Sequence, residues 1–260
     1  MNRVALVTGG ARGIGAATAR LLLEQGWCVV AVDRCAPDPR LPYALGTRAE
    51  LDAVVAGAPE RAVAVTADTC DTQALTAAVQ LAEQRFGGLD VAVAAAGVVA
   101  GGVPLWEQPE AEVQSVVEVD LLGVIALARV TVPALLRRPE PRTGRFLAVA
   151  STAATSGLPM LAAYCAAKAG VTGLVRALAV ELGPTGVTAN SVSPGSTDTA
   201  VLRESARLYG LSSPQDFAAQ QPLGRLIDPA EIAAALVWLA GPGSSAVTGT
   251  DLVVDGGLRL

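Results

Sequence analysis

The feature that most restricts the fold of this chain is a regular alternation of short apolar runs with longer segments of helical periodicity. The short runs are rich in β-branched residues and have strand length; they span residues 4–8, 29–33, 62–66, 91–95, 146–150, 187–193 and 252–254. Apolar strands that alternate with helices are typical of parallel sheets covered on both faces. The pattern predicts an α/β fold, a Rossmann-type doubly wound parallel sheet of seven strands.

The helical segments predicted between these runs span residues 13–25, 72–86, 109–137, 161–182, 200–208 and 229–239. No internal repeat or interdomain linker interrupts the pattern, and 260 residues suit one large α/β domain, so residues 1–260 are predicted to form a single domain. A proline-containing insertion at residues 34–51 is expected to form a stiff, partly packed flap, although an ordinary surface insertion is the alternative. Residues 200–221 are the expected substrate lid.

Composition excludes several classes of function. A net charge of −5 and a pI near 4.9 provide no basic surface for nucleic acid or anionic membrane. No eighteen-residue apolar run suggests a membrane span, and no signal peptide is expected, so we expect a cytoplasmic protein. The four cysteines lack CxxC spacing, which favours buried thiols over metal ligands or disulfides. The chain has no histidine, which excludes a serine hydrolase triad and a histidine-ligated metal site.

A glycine-rich segment, TGGARGIG, follows the first predicted strand directly. Its glycines allow the backbone to approach a phosphate, and the helix that begins there provides N–H donors and a favourable dipole. Alone, such a cluster serves a turn about as often as a nucleotide. The candidate nucleotide contacts in this segment are Gly9, Arg12, Gly13, Ile14 and Gly15.

Asp33 ends the second predicted strand, eighteen residues after Gly15. A carboxylate at this place accepts hydrogen bonds from the adenosine ribose and repels a 2′-phosphate. The position therefore predicts NAD rather than NADP. Arg12 and Arg34 would favour a phosphate, which keeps NADP as the alternative, or they are solvated surface charges.

Lys168 is the only lysine among 19 basic residues, and it lies four residues after Tyr164. This spacing places both side chains on one face of a helix, where a compact amine can tune the pKa of a phenol as arginine cannot. Ser151 ends an apolar run thirteen residues before Tyr164. Considered one at a time, Lys168 would more often be a surface lysine, Tyr164 a packed helix residue and Ser151 a cap at the end of a strand. Together with the glycine-rich segment they indicate a catalytic set.

This set, with the TGxxxGxG pattern, resembles the short-chain dehydrogenase/reductase family. The resemblance implies reversible hydride transfer between a secondary alcohol or ketone and the nicotinamide. Tyr164 would be the general acid or base, Lys168 would favour its phenolate and bind the nicotinamide ribose, and Ser151 would donate to the developing alkoxide. The family's fourth catalytic position, an asparagine, falls on Asp120 of DLLG. Asp120 either pairs with Lys168 and weakens its effect on Tyr164, or only maintains the helix kink and water chain.

Further motifs match the family along almost the whole chain. Asp68 would contact the adenine, and AAAG stands where the family has NNAG. SPGSTDT resembles the segment that holds the nicotinamide carboxamide, and the TG and DGG elements near the C-terminus also match. The additional cofactor contacts implied are Ala96, Gly97, Pro194, Gly195, Thr197 and Thr199. The resemblance also implies a homotetramer with the long helices and the C-terminal segment at its interfaces.

The insertion at residues 34–51 resembles that of mycofactocin-associated members of the family. This implies tightly held NAD and electron transfer to mycofactocin, a peptide-derived redox carrier. A hydrophobic alcohol is the expected substrate because the residues expected around it are mainly apolar, namely Trp106, Met160, Val201, Leu202, Leu208 and Tyr209. Arg203 and Arg207 either bind an acid group or form a solvated face. The competing hypothesis is a nucleotide-sensing or scaffold protein without chemistry, favoured by Ala94, Ala95 and Asp120.

Overall fold

The computed structural model describes residues 3–260. It contains one sheet of seven parallel strands in the order β3-β2-β1-β4-β5-β6-β7. The strands are β1 (Val4–Thr8), β2 (Cys28–Asp33), β3 (Ala62–Thr66), β4 (Val91–Ala94), β5 (Arg145–Val149), β6 (Thr188–Pro194) and β7 (Asp251–Val254). The doubly wound sheet predicted from the alternation is confirmed, with strand ends that differ from the prediction by at most one residue.

Helices cover both faces of this sheet. They are α1 (Gly13–Glu24), α2 (Arg48–Val55), α3 (Thr72–Phe86), α4 (Glu110–Val117), α5 (Gly123–Leu136), α6 (Ala162–Leu182), α7 (Ala200–Leu208) and α8 (Pro229–Ala240). In β1, Leu6 belongs to the core beneath α3, α5 and α6, whereas Val7 belongs to the core beneath α1, α2 and α8. This alternation is the two-residue period of a strand, and both side chains are fully buried.

Two local elements differ from the prediction. The single helix expected over residues 109–137 is divided by a π-helical turn, Glu118–Leu122, and such turns occur frequently at functional sites. Helix α2 begins inside the segment expected to be flap. Thr47 and Glu50 form a capping box at its start, which fixes the helix N-terminus there. The part of the expected flap that precedes the N-cap is therefore residues 34–46, and this segment is called the flap below.

Two helical segments, Glu110–Leu136 and Ala162–Thr185, are long and apolar enough by composition to cross a membrane. Helices α5 and α6 contribute Leu127, Val171 and Val175 to the core beneath the sheet. Their apolar composition is accounted for by this packing, which is typical of the central helices of α/β domains.

Candidate active site

A cavity of about 620 Å³ opens at the carboxyl ends of the strands, where ligands bind in doubly wound sheets. Nearly all residues predicted to form the site line it: Gly9, Arg12, Gly13, Ile14, Asp33, Asp68, Ala96, Gly97, Asp120, Ser151, Tyr164, Lys168, Pro194, Gly195, Thr197 and Thr199. Gly15 is the exception, because it is buried behind the turn. A Cβ on Gly15 would overlap the carbonyl of Gly9, so this glycine permits close packing of α1.

The glycine-rich turn has the geometry that a phosphate requires. Gly9 and Gly13 adopt φ values of 66° and 58°, which side chains disfavour. A Cβ on Gly9 would lie 2.7 Å from the backbone of Ala95. At the start of α1, Arg12 provides no side-chain cap for the first N–H groups. The helix N-terminus therefore keeps donors and a favourable dipole for a pyrophosphate.

Asp33 is fixed at the end of β2 by two backbone donors. Its Oδ2 accepts from the Ala11 N–H at 3.1 Å, and its Oδ1 accepts from the Cys35 N–H at 3.1 Å. The flap backbone at Gly46 lies so close that a Cβ there would be 3.0 Å from Oδ1 of Asp33. The carboxylate is thus oriented, and the flap leaves little room beside it.

Arg34 is already engaged by two carboxylates. Its Nη1 lies 3.1 Å from Oδ2 of Asp38, and its Nε lies 3.4 Å from Oδ2 of Asp68. This arrangement neutralises the cation that was considered as a 2′-phosphate ligand. It also places Asp68, the predicted adenine contact, at the wall of the cavity.

The flap is docked through polar contacts at several points. Asp38 is only 2% exposed and binds Arg40, whose Nη1 also donates to Oε2 of Glu118 at 2.6 Å. The Ser115 hydroxyl donates to Asp38 as well, at 3.2 Å. Hydrogen bonds from Arg40, opposed by burial, hold the pKa of the Asp38 carboxyl well below its usual range. Arg12 donates to the Ala44 carbonyl at 2.7 Å.

Tyr164 and Lys168 project from one face of α6 into the cavity, and Ser151 meets them from the end of β5. Ser151 accepts from the Ala153 N–H at 3.1 Å, so it also caps the short turn that follows. Burial raises the pKa of the Tyr164 phenol; Lys168 lowers it, Asp120 adds to the rise, and a hydrogen bond with Ser151 lowers it. The net shift is upward.

Asp120 pairs with Lys168, the first of the two alternatives considered. Lys168 is 3% exposed and Asp120 is fully buried, and the distance from Nζ to Oδ2 is 3.4 Å. Lys168 also donates to the Val149 carbonyl at 3.1 Å. Burial alone would lower the pKa of Lys168, but Asp120 and then Tyr164 outweigh it and raise that pKa. Burial raises the pKa of Asp120, while Lys168 and the Val98 N–H oppose the rise.

The π-helical turn explains how Asp120 reaches the lysine. Asp120 lies at the centre of this turn and points to the interior, whereas Leu122 two residues later is half exposed. Oδ1 of Asp120 accepts from the Val98 N–H at 2.8 Å. Gly97 lies directly over the pair, since a Cβ there would be 3.5 Å from Nζ of Lys168 and 3.6 Å from Oδ1 of Asp120.

The segment after β6 is rigidly positioned. Gln221 is buried, and its side chain accepts from the Ser196 N–H at 3.0 Å and donates to the Arg225 carbonyl at 2.6 Å. Thr199 caps α7 through the Leu202 N–H, and its methyl group would be 3.4 Å from a Cβ on Gly13. The segment predicted to hold the carboxamide therefore faces the glycine-rich turn across the cavity.

The substrate end of the cavity differs from the expectation. Val201, Leu202 and Tyr209 line it as predicted, but Leu208, Met160 and Trp106 do not. Trp106 is 84% exposed, because the loop before α4 turns it to the surface. Other residues of the expected lid, 200–221, also line this end, namely Ser205, Leu211, Phe217 and Gln220, and Leu158 and Leu161 line it as well. Leu258 was not predicted from the sequence, because no local pattern marks this residue near the end of the chain as part of the lining.

The sheet order, the glycine-rich turn and the convergence of Ser151, Tyr164 and Lys168 define the class of a nucleotide-dependent oxidoreductase. A family model described as enoyl-(acyl carrier protein) reductase matches residues 9–259. The chain is 39% identical over 260 residues to cis-4-hydroxycyclohexanecarboxylate dehydrogenase of Sinomonas cyclohexanicum, covering 98% of this chain and 96% of that protein. It is 34% identical over 266 residues to an uncharacterised NAD-dependent oxidoreductase of Mycobacterium tuberculosis, covering 98% and 95%.

Among solved structures, carveol dehydrogenase from Mycobacterium avium in complex with NAD superposes with a TM-score of 0.92 at 32% identity, covering 98% of this chain and 97% of that chain. The chain belongs to the short-chain dehydrogenase/reductase family. The family expected from the motifs is confirmed.

Proposed function

We propose that this protein is a dehydrogenase that oxidises hydrophobic secondary alcohols, or reduces the corresponding ketones, with NAD retained beneath the flap of residues 34–46. The observation that carries the proposal is the convergence of Ser151, Tyr164 and the buried Lys168 on a cavity that also contains the glycine-rich turn. This convergence favours an enzyme over the alternative of a nucleotide sensor or scaffold without chemistry, and the family comparison supports an enzyme as well.

NAD is the cofactor, as Asp33 predicted. The M. tuberculosis relative is named as NAD-dependent, and the carveol dehydrogenase structure contains NAD. The site of this chain fits that choice for two reasons. Asp33 provides an oriented carboxylate, and Gly46 closes the space beside it. Of the two cations considered for a 2′-phosphate, Arg34 is held between Asp38 and Asp68, and Arg12 donates to the Ala44 carbonyl.

When bound, NAD supplies the hydride acceptor of alcohol oxidation and the hydride donor of ketone reduction. Tyr164 then accepts the hydroxyl proton in oxidation and returns it in reduction. Lys168 favours the phenolate form of Tyr164 by its positive charge. Ser151 donates a hydrogen bond to the developing alkoxide. Asp120 keeps Lys168 charged but reduces its net attraction for the phenolate.

The substrate end supports a neutral alcohol. Arg203 and Arg207, considered as ligands for an acid group, do not line the cavity and instead pair with Asp198 at 3.1 Å and Glu204 at 2.6 Å. The lining there is mainly leucine, valine and aromatic side chains, with Ser205 and Gln220 as polar groups. A carboxylate substrate would therefore lack a cation at this end, whereas an apolar ring would be well accommodated.

We infer further that electrons leave through a second carrier of the mycofactocin type. The docked flap supports this, because a cofactor beneath it exchanges only when the flap opens, and reoxidation in place avoids that step. We also propose that the protein acts in the cytoplasm as a homotetramer. Exposed apolar side chains at Leu122, Val180 on α6 and Val253 on β7 support interfaces on the long helices and the C-terminal strand.

The test of this proposal is purification without added nucleotide, release of the bound cofactor by denaturation, and assay with cyclic secondary alcohols. Near-stoichiometric NAD that resists exchange with labelled NAD, together with oxidation coupled to an artificial electron acceptor, supports it. An empty protein that turns over freely with added NAD contradicts retention and the separate carrier. Absence of turnover with any alcohol or ketone contradicts the activity itself.

Arg40→Gln is expected to accelerate NAD release about tenfold, which corresponds to ~1.4 kcal/mol. The change removes the ion pairs of Arg40 with Glu118 and with the buried Asp38, and so weakens flap docking. Release is measured by chasing bound NAD with labelled NAD. Arg48→Gln is the matched control, because Arg48 pairs with Asp52 on exposed α2 outside the flap. Equal release rates in both variants would show that Arg40 does not hold the flap.

Asp120→Asn is expected to shift the rising limb of the pH profile for alcohol oxidation downward by roughly one pH unit. The reason is that Asp120 raises the pKa of Tyr164, and oxidation requires the phenolate, whose fraction increases with pH. At neutral pH, kcat should therefore increase. Glu110→Gln, an exposed change at the start of α4, is the control. An unchanged profile in Asp120→Asn would show that the carboxylate does not influence Tyr164.

A further inference from the structure

Two consecutive backbone amides connect the flap with the catalytic pair. The Val98 N–H donates to Oδ1 of Asp120 at 2.8 Å, and the Val99 N–H donates to the Tyr43 hydroxyl oxygen at 2.8 Å. Both valines are buried. Tyr43 belongs to the flap, so the same dipeptide is held from one side by the flap and from the other by the residue that pairs with Lys168.

We propose that Tyr43 is a positioning residue of the active site, which aligns Asp120 and Lys168 through Val98 and Val99 only while the flap is docked. The inference rests on the proposed function and deepens it. The flap would then do more than retain the cofactor, because its closure would also complete the catalytic geometry. An enzyme whose flap is open would release NAD rapidly and would also have a low kcat.

The packing around these residues leaves little freedom for independent movement. Val98, Ala100, Val116, Ala163, Ala167 and Leu41 of the flap form one buried apolar cluster, and Tyr43 and Tyr164 both pack against it. A Cβ added at Gly97 would lie within van der Waals distance of the Lys168–Asp120 pair, so only the missing side chain separates this backbone from the pair. A displacement of this segment by a few tenths of an ångström therefore acts directly on both charged groups.

Loss of the Tyr43 hydroxyl would leave the Val99 N–H buried without its acceptor. The segment would then shift to find another acceptor, and Asp120 would lose alignment with its Val98 donor. Asp120, no longer held on that side, would approach Lys168 and neutralise it more completely. Tyr43 itself does not titrate in this scheme, because burial raises the pKa of its hydroxyl. The charges of Asp120 and Glu204 add to this rise, whereas the hydrogen bond from the Val99 N–H and the charge of Arg12 oppose it.

The test is Tyr43→Phe, which keeps the ring in the cluster and removes the acceptor. In NAD-loaded enzyme, we expect kcat to fall about tenfold while KM for the alcohol and the content of bound NAD stay within about twofold. Arg40→Gln is the contrasting variant, since it weakens docking but retains the bond from Val99 to Tyr43 in the docked flap. It should release NAD faster, and its kcat should fall less than that of Tyr43→Phe, because the flap opens more often but still docks. Faster NAD release with unchanged kcat in Tyr43→Phe would overturn the proposal.

A double-mutant cycle tests the route through Asp120. In the Asp120→Asn background, Tyr43→Phe is expected to change kcat less than about twofold. The reason is that the carboxylate whose position depends on Tyr43 is absent from this background. An equal loss in both backgrounds would exclude Asp120 as the link.

Two readouts do not depend on turnover. The first is the absorbance titration of the Tyr164 phenol. The chain has three tyrosines, so the titration curve of Tyr164 is obtained by subtracting the curve of the same protein with Tyr164→Phe. The midpoint of this Tyr164 titration should be higher in Tyr43→Phe than in the native protein. In Arg40→Gln, the amides of Val98 and Val99 should show faster hydrogen exchange together, a measurement that leaves Tyr43 in place. An unmoved midpoint, or exchange of Val99 alone, would contradict the proposal even if the protein oxidised no alcohol.

Discussion

Tyr164→Phe is expected to lower kcat for alcohol oxidation by roughly 10²–10⁴-fold, the usual contribution of a positioned acid or base. The ring would remain packed against the cluster of Val98, Ala163 and Ala167, so the KM for the alcohol should change little. Only the phenol oxygen, the atom proposed to accept the substrate proton, is removed. Steady-state kinetics of the NAD-loaded enzyme measure both parameters, and bound NAD should stay at the native level.

Cys165→Ser provides the matched control for this variant. Cys165 is the next residue of α6, and its thiol contacts the Ser156 carbonyl outside the cavity. The control should keep kcat within about twofold. If Tyr164→Phe kept more than about a tenth of the native kcat, a different group would have to move the proton, and Ser151 alone would be the nearest candidate.

Lys168→Met is expected to reduce the free energy of unfolding at neutral pH by about 3–5 kcal/mol, the usual cost of leaving one member of a buried ion pair without its partner. Methionine approximates the length of the lysine stem, so the loss reports mainly on charge. Asp120 would keep the Val98 N–H as a donor but lose the ammonium group 3.4 Å away. Denaturant unfolding monitored by circular dichroism measures the change.

The stability of Lys168→Met should depend on pH, because the substitution leaves the carboxyl of Asp120 buried without a cation. Without Lys168, burial would hold the pKa of Asp120 above its unfolded value of about 3.9. The folded state then binds more protons than the unfolded state between these two pKa values, so stability falls as pH rises through that window. Lys168→Met should therefore approach native stability at acid pH and lose it toward neutrality.

The double variant Lys168→Met, Asp120→Asn tests the cause, because it removes the stranded charge. It should regain most of the lost stability at neutral pH and show no acid recovery. A double variant as unstable as Lys168→Met alone would attribute the loss to packing rather than to the buried carboxylate.

The sheet was predictable because its strands are continuous apolar runs. The nucleotide end of the site was predictable because Gly9 and Gly13 follow β1 and Asp33 ends β2, and the carboxyl ends of these strands meet at one edge. The pairing of Asp120 with Lys168 was one of the two alternatives left open by a single departure from the family motif. The π-helical turn was not, since residues 109–137 keep an apolar helical pattern through it. Trp106 was assigned to the substrate end on its apolar character, and the fold turns it outward. Tyr43 lies within the segment predicted to be a partly packed flap, but its bond to Val99 depends on tertiary placement that no local pattern encodes.

The single lysine of this chain has a practical consequence for chemical labelling. Apart from the α-amino group, Lys168 provides the only primary amine, and it is 3% exposed. Amine-specific acylating reagents should therefore leave the only lysine side chain of the folded protein almost unmodified. An acyl group found on Lys168 by mass spectrometry would show that the pocket around this residue had opened, and the rate of its appearance would measure how often the pocket opens.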